Sequence, residues 1–107
     1  MHQFTESAVE IIKSIPKGKV LTYGLVASMA GNPRGARQVA RILHSMSRKH
    51  GLPWHRVVNS EGQISLSEPY NEEQRILLES EGIILSDAET IDFREFLWKI
   101  NKYEDNS

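Results

Sequence analysis

The chain has 107 residues, 39% of them hydrophobic and 25% charged, with a formal net charge of −1 and no cysteine. That length suits one domain with a modest core, and the missing cysteines exclude disulfides, thiolate metal sites and thiol nucleophiles from this chain. No apolar run approaches the roughly 18 residues of a membrane span, and the polar start MHQFTES lacks the basic-then-apolar design of a signal peptide, so a cytoplasmic protein without membrane contact is expected.

The first predicted element is a helix in which Phe4, Ala8, Ile11, Ile12 and Ile15 fall on one face. Pro16 and Gly18 stop it, and PKGKV reads as a tight basic turn. Thr22 is an N-cap for a short helix, YGLVASMA, with Leu25, Val26 and Met29 turned inward and Gly31 at its end. Asn32 is expected to cap a third helix with Pro33 at its first position and an apolar stripe of Ala36, Val39, Ala40 and Leu43 running towards Met46. Two helices joined by a tight glycine-containing turn make a helix-turn-helix. Arg34, Arg37 and Arg41, spaced i, i+3, i+7, are expected on one face of its second helix, which spacing alone leaves open as a solvated face or a DNA contact.

Beyond RKHG the pattern becomes extended. HRVVN and QIS flank SEG as a short hairpin, with Gly62 as a left-handed turn residue. Asn71 and Gln74 resemble a capping box that opens a helix through EEQRILLESEG, ended by Gly82. Ile91, Phe93, Phe96, Leu97 and Trp98 give the remaining segment enough apolar surface to pack back on the domain, with its secondary structure left open. Charge divides along the chain: residues 1–60 carry nine Lys/Arg against two Glu, and residues 61–107 carry four against twelve acids. A basic front with an acidic back suits a one-faced binder of polyanions.

Among chemical constellations, His55, Ser60 and Glu61 are the ingredients of a hydrolytic triad, but neighbours in a hairpin rarely converge and no Gly-x-Ser-x-Gly elbow is present. His2, His44, His50 and His55 show no His-x-x-x-His pair, so no metal site is expected. AGNPRGAR has two glycines without the Gly-Lys-Ser/Thr ending of a phosphate loop. Recognition is what remains.

Two motifs carry a resemblance. PWHRVVNSEG resembles the Pro-Cys-His-Arg-Val active-site signature of the O6-alkylguanine-DNA alkyltransferases, with Trp54 in the cysteine slot, and TYGLVASMAGNPRGARQVARIL resembles their helix-turn-helix. Trp in that slot is the mark of the alkyltransferase-like, non-enzymatic branch. The resemblance covers about residues 4–85 of a single domain spanning 1–107 and leaves 86–107 without a role. It implies a mainly α, winged helix-turn-helix-like DNA-binding domain, as in the C-terminal domain of those alkyltransferases, with a short hairpin.

What the resemblance implies for function is a sensor that docks in the minor groove, turns an O6-alkylguanine out of the duplex and flags it for nucleotide excision repair. On it, Arg37 matches the arginine that fills the vacated stack, Tyr23 the tyrosine that rotates the 3′ phosphate, and Gly35 and Ala36 the small residues that let the helix approach the groove floor. The implied DNA-binding set is Tyr23, Arg34, Gly35, Ala36, Arg37, Arg41 and Ser60. The implied lesion pocket is Tyr23, Pro53, Trp54, Val57, Leu66 and Ser67. His55 and Arg56 become structural, because an indole at position 54 has no nucleophile to offer an alkyl carbon. No catalytic residue, metal or cofactor is implied. The partners are double-stranded DNA containing O6-alkylguanine and nucleotide excision repair proteins, the state is monomeric, and the location is the nucleoid in a bacterium or the nucleus in a eukaryote. QISLSEPY departs from the pattern: Leu66, Ser67 and Glu68 stand where some alkyltransferase-like proteins carry a basic residue over the modified base. The competing readings are a sequence-specific helix-turn-helix transcription regulator and a hydrolase built on His55 and Ser60.

Overall fold

In the computed structural model, which describes residues 2–100, the opening apolar stripe forms α1, Gln3–Ser14. Ala8, Val9 and Ile12 are buried on its inner face, and Ile15 continues the burial as the backbone turns extended ahead of Pro16. After the turn at Gly18, Leu21–Thr22 forms β1. Thr22 then caps α2, Tyr23–Met29, as expected: its Oγ1 accepts a hydrogen bond from the Leu25 N–H at 3.0 Å. Val26 and Ala27 are the fully buried residues of this short helix. Leu25, expected inward, is 38% exposed, because it stands one residue, about 100°, round the helix from Val26.

The third helix starts later than its sequence suggests. The Gly35 N–H donates to the Asn32 carbonyl at 2.9 Å and the Arg34 N–H to Asn32 Oδ1 at 3.1 Å. Residues 32–35 therefore close a turn, and α3 runs Ala36–His50 with Gly35 in the N-cap position. Arg34 lies in that turn, so it does not share a helical face with Arg37 and Arg41. The buried stripe is Val39, Ile42 and Leu43, with Ala40 exposed where it was expected inward; branched side chains at 39, 42 and 43 bury more apolar surface than Ala40 could. α1, α2 and α3 share one core cluster, which also takes in Leu21, Leu52 and Val57.

The expected hairpin is not formed. β2, Val57–Val58, pairs with β1 in parallel, Leu21 opposite Val57 and Thr22 opposite Val58. Both valines are buried, one against each core cluster, and a strand covered on both faces suits a parallel pair better than an open hairpin. Asn59 Oδ1 accepts from the N–H groups of Glu61 and Gln63 and turns the chain. Gly62 supplies the left-handed residue, φ 72°, as expected. Gln63 then pairs with Thr90, and the Ile91 N–H donates to the Gly62 carbonyl at 2.9 Å.

α4, Tyr70–Ser80, has no capping box. The Ser67 carbonyl accepts from the N–H groups of Tyr70 and Asn71, while Asn71 Nδ2 donates to the Ile64 carbonyl. Gln74 is buried and turned to the strand side. Gly82, φ 91°, ends the helix as expected. The following segment is integral to the fold: Phe96 and Trp98 bracket Val20 with two 2.9 Å backbone hydrogen bonds, and α5, Phe93–Phe96, is capped by Asp92. Ile91 and Phe96 join Val20, Val58, Ile64, Leu78 and Ile83 in a second core cluster. Residues 101–107 of the unassigned acidic tail lie outside the described residues.

Candidate nucleic-acid interface

Thr22 fixes the start of α2 and with it Tyr23, the first helical residue, whose ring packs partly buried on the helical core. Burial pushes the Tyr23 phenol up from its ordinary value, so the hydroxyl keeps its proton and stays a donor. Arg37 and Arg41 are exposed one turn apart on α3, and His44 and Arg48 continue the same side. No acidic residue occurs anywhere in α3, so this face is positive along its whole length.

The small residues divide differently from expectation. Gly35 is buried: a Cβ there would stand 2.8 Å from Cζ of Phe4 and 3.1 Å from the Asn32 carbonyl oxygen. Its smallness lets α1 pack on the turn. Ala36 is partly buried. The exposed small residue between the arginines is Ala40, which apolar periodicity had assigned to the core. Arg34 is exposed on the turn before α3, and Ser60 is exposed on the separate Asn59–Gly62 turn.

Trp54 opens a short helical turn, Trp54–Arg56, that Pro53 leads into. Its ring is partly buried against the helical core and stands perpendicular to two neighbours, Tyr70 and His55, each with ring centroids 6.3 Å away. Pro53 is partly buried beside it. Val57 does not line an open pocket: its side chain is fully buried, because β2 pairing turns it into the core. Its carbonyl is engaged as well, since Gln74 Nε2 donates to the carbonyls of His55 at 3.1 Å and Val57 at 3.3 Å. Leu66 is partly buried and Ser67 exposed, on the segment whose carbonyl at Ser67 starts α4. Two surface clefts lie elsewhere, one lined by Lys19, Arg94 and Trp98 and the other between the start of α1 and Asn32.

Behind Trp54, His55, Arg56 and Glu81 form a buried polar cluster. His55 Nε2 lies 2.8 Å from Glu81 Oε2, Arg56 Nη2 donates to the same oxygen at 2.7 Å, and the Gly18 N–H donates to Oε1. Arg56 Nη1 also donates to the Ile15 carbonyl at 2.8 Å. Burial by itself would raise the Glu81 carboxyl; the hydrogen bonds from Arg56, His55 and Gly18 outweigh it and hold the group at about 2. The cluster ties the Trp54 turn to the ends of α1 and α4, the structural role expected for His55 and Arg56. It does not assemble a triad: His55 Nε2 faces Glu81, and Ser60 sits out on its turn. Glu81 itself escaped sequence reasoning, although a carboxylate at a helix C-terminus is disfavoured by the helix dipole and implies a cationic partner. Among the described residues no group of three His, Asp or Glu side chains gathers at metal-binding distance.

Residues 3–83 match the family described as 6-O-methylguanine DNA methyltransferase, DNA binding domain. The chain is 44% identical over 95 residues to the DNA base-flipping protein of Escherichia coli K12, covering 89% of this chain and 74% of that protein. It is 35% identical over 105 residues to alkyltransferase-like protein 1 of Schizosaccharomyces pombe, covering 92% and 97%. Its fold superposes on the crystal structure of S. pombe Atl1 in complex with damaged DNA containing O6-carboxymethylguanine, with a TM-score of 0.83 at 33% identity, covering 94% of this chain and 98% of that one.

Proposed function

The chain belongs to the family of 6-O-methylguanine DNA methyltransferase DNA-binding domains, with alkyltransferase-like relatives, and from that premise we propose that it is a non-enzymatic sensor of O6-alkylguanine in duplex DNA. On this reading α3 enters the minor groove, Arg37 takes the place of the extruded nucleotide, Tyr23 turns the 3′ phosphate, and the base lodges beside Trp54. Extrusion costs a few kcal/mol of stacking and pairing; a planar guanidinium that is always charged offsets part of it by filling the gap with hydrogen bonds.

One observation carries the proposal. The chain holds a buried His55–Glu81 pair next to position 54 but contains no cysteine to be activated by it. Dealkylation needs a nucleophile in line with the alkyl carbon, and an indole supplies none. The site keeps the means of holding a base and lacks the reagent. A bound lesion would then persist as a signal, and handing it to nucleotide excision repair is the use proposed for it, by a monomer working where the genome lies, at a bacterial nucleoid or in a nucleus.

Binding to duplexes with and without O6-methylguanine, followed by mass spectrometry of the recovered oligonucleotide, tests this. Tighter binding to the lesion with the methyl group retained is the expected result. Equal affinities, loss of the methyl group, or a strong consensus from random duplexes, as a transcription regulator would return, would overturn it.

A further inference from the structure

Tyr70 is half exposed, at 51%, and its ring stands at 88° to Trp54. It is the first residue of α4, and its N–H donates to the Ser67 carbonyl at 3.0 Å. Tyr70 thus touches Trp54 through its ring and the 66–69 segment through its backbone, two stretches that the resemblance places in one pocket. Folding accounts for the neighbouring contacts of α4: Gln74 and Leu78 are buried and Asn71 is hydrogen bonded to Ile64. An aromatic left half in water beside a partly buried Trp makes an inside corner of two ring surfaces, one of which gains little from the fold.

The stretch that carries Tyr70 has charge of one sign. From Val57 to Gln74 the chain contains no Lys or Arg, and Glu68, Glu72 and Glu73 are exposed on either side of Tyr70. Arg56, the nearest basic residue before this stretch, is committed to Glu81, and Arg75, the first after it, lies 3.4 Å from Glu89. An anionic group brought here would find acidic neighbours and no free cation among these residues, whereas a neutral apolar or aromatic group would find ring faces and edges.

Resting on the lesion-binding reading above, we infer that the Trp54–Tyr70 corner receives the O6 substituent, and that Tyr70 selects uncharged apolar or aromatic substituents over anionic ones. The test is the affinity of the full chain and its Tyr70→Ala and Tyr70→Phe variants for duplexes carrying O6-methylguanine, O6-benzylguanine, O6-carboxymethylguanine or plain guanine. The unaltered chain should bind the benzyl lesion about three- to tenfold more tightly than the carboxymethyl lesion, the range expected from one edge-to-face aromatic contact. Tyr70→Ala should lose that preference while binding to plain guanine stays within about twofold, and Tyr70→Phe, which keeps the ring, should retain it. Carboxymethyl bound as tightly as benzyl by the unaltered chain, or a Tyr70→Ala variant with an unchanged ratio, overturns the inference and leaves lesion sensing standing. A uniform loss on all four duplexes also overturns it, since that is what a purely structural Tyr70 would give. No discrimination between any lesion and plain guanine by the unaltered chain overturns both.

Discussion

His55 and Glu81, 26 residues apart, meet at 2.8 Å across the end of α4, and neither side chain is more than 10% exposed. Arg56 completes the contact from the other side of the carboxylate. A buried carboxylate serving a His, an Arg and a backbone N–H is more than a pairwise bridge: removing it leaves a guanidinium in the interior without its counter-charge. Glu81→Gln should therefore destabilise the domain by about 3–5 kcal/mol, the cost of orphaning one partner of a buried ion pair. Urea unfolding of the two proteins measures it, and a loss below about 1 kcal/mol would mean the cluster behaves as a surface pair.

Acid should act through the same group. The Glu81 carboxyl is lowered from 4.5 to about 2 in the folded chain, so the folded state binds this proton less readily than the unfolded state. Its contribution is fully present above about pH 4.5 and is lost as pH falls towards 2. The corresponding stability is of the order of 3 kcal/mol. Stability curves between pH 6 and 2.5 should fall more steeply for the natural chain than for Glu81→Gln, and parallel curves would contradict the assignment.

Gln74 donates to the carbonyls of His55 and Val57 from a side chain that is 2% exposed. Gln74→Leu fits the volume but deprives both carbonyls of their donor. A loss of about 2–5 kcal/mol is expected, one desolvation penalty for each orphaned group. Thermal unfolding measures that loss, and loosening of the Trp54 turn should appear as faster amide exchange at residues 54–57.

Two left-handed glycines separate backbone cost from crowding. At Gly62, φ 72°, a Cβ would stand 2.9 Å from the carbonyl oxygen of Ile91, the residue whose N–H donates to the Gly62 carbonyl. At Gly31, φ 101°, nothing lies within 4 Å. Gly31→Ala should cost about 1–2 kcal/mol, the conformational term alone, and Gly62→Ala about 2–4 kcal/mol because a steric term is added. Equal melting temperatures for the two variants would show that the segment around Ile91 yields easily.

On the proposed function, the exposed arginines of α3 should separate by role. Arg41→Ala should weaken binding to lesion and plain duplexes alike and reduce the salt slope of the association constant by about one. Arg37→Ala should weaken lesion binding by about tenfold or more, because extrusion loses the group that fills the gap. Titrations at several salt concentrations would read both effects. A lesion preference untouched by Arg37→Ala would remove that residue from the flipping step.

Local signals were legible where one residue type answers one backbone need. Thr22 as an N-cap, Gly62 and Gly82 in left-handed conformations and the stripe of α1 all follow from chemistry within a few residues. The Asn32 and Asn71 caps failed for a shared reason: each side chain found a different partner, Arg34 N–H in a turn and the Ile64 carbonyl across a loop. Short polar side chains fit turns as readily as helix starts. Gln74 and Ala40 failed because burial is decided by what packs opposite, which one strand of text does not contain.

By itself the sequence determined the helix-turn-helix and the absence of any thiol chemistry in this chain, since spacing and composition are enough for these, and the resemblance to the alkyltransferases placed Trp54 within their motif. Only the tertiary structure decided that Val57 is core, that Gly35 serves packing on Phe4, that Glu81 anchors His55 and Arg56, and that Tyr70 stands against Trp54. These are contacts between residues 16 to 36 positions apart, and no local periodicity encodes which of many exposed or charged side chains will meet once the two core clusters close around the β1–β2 pair.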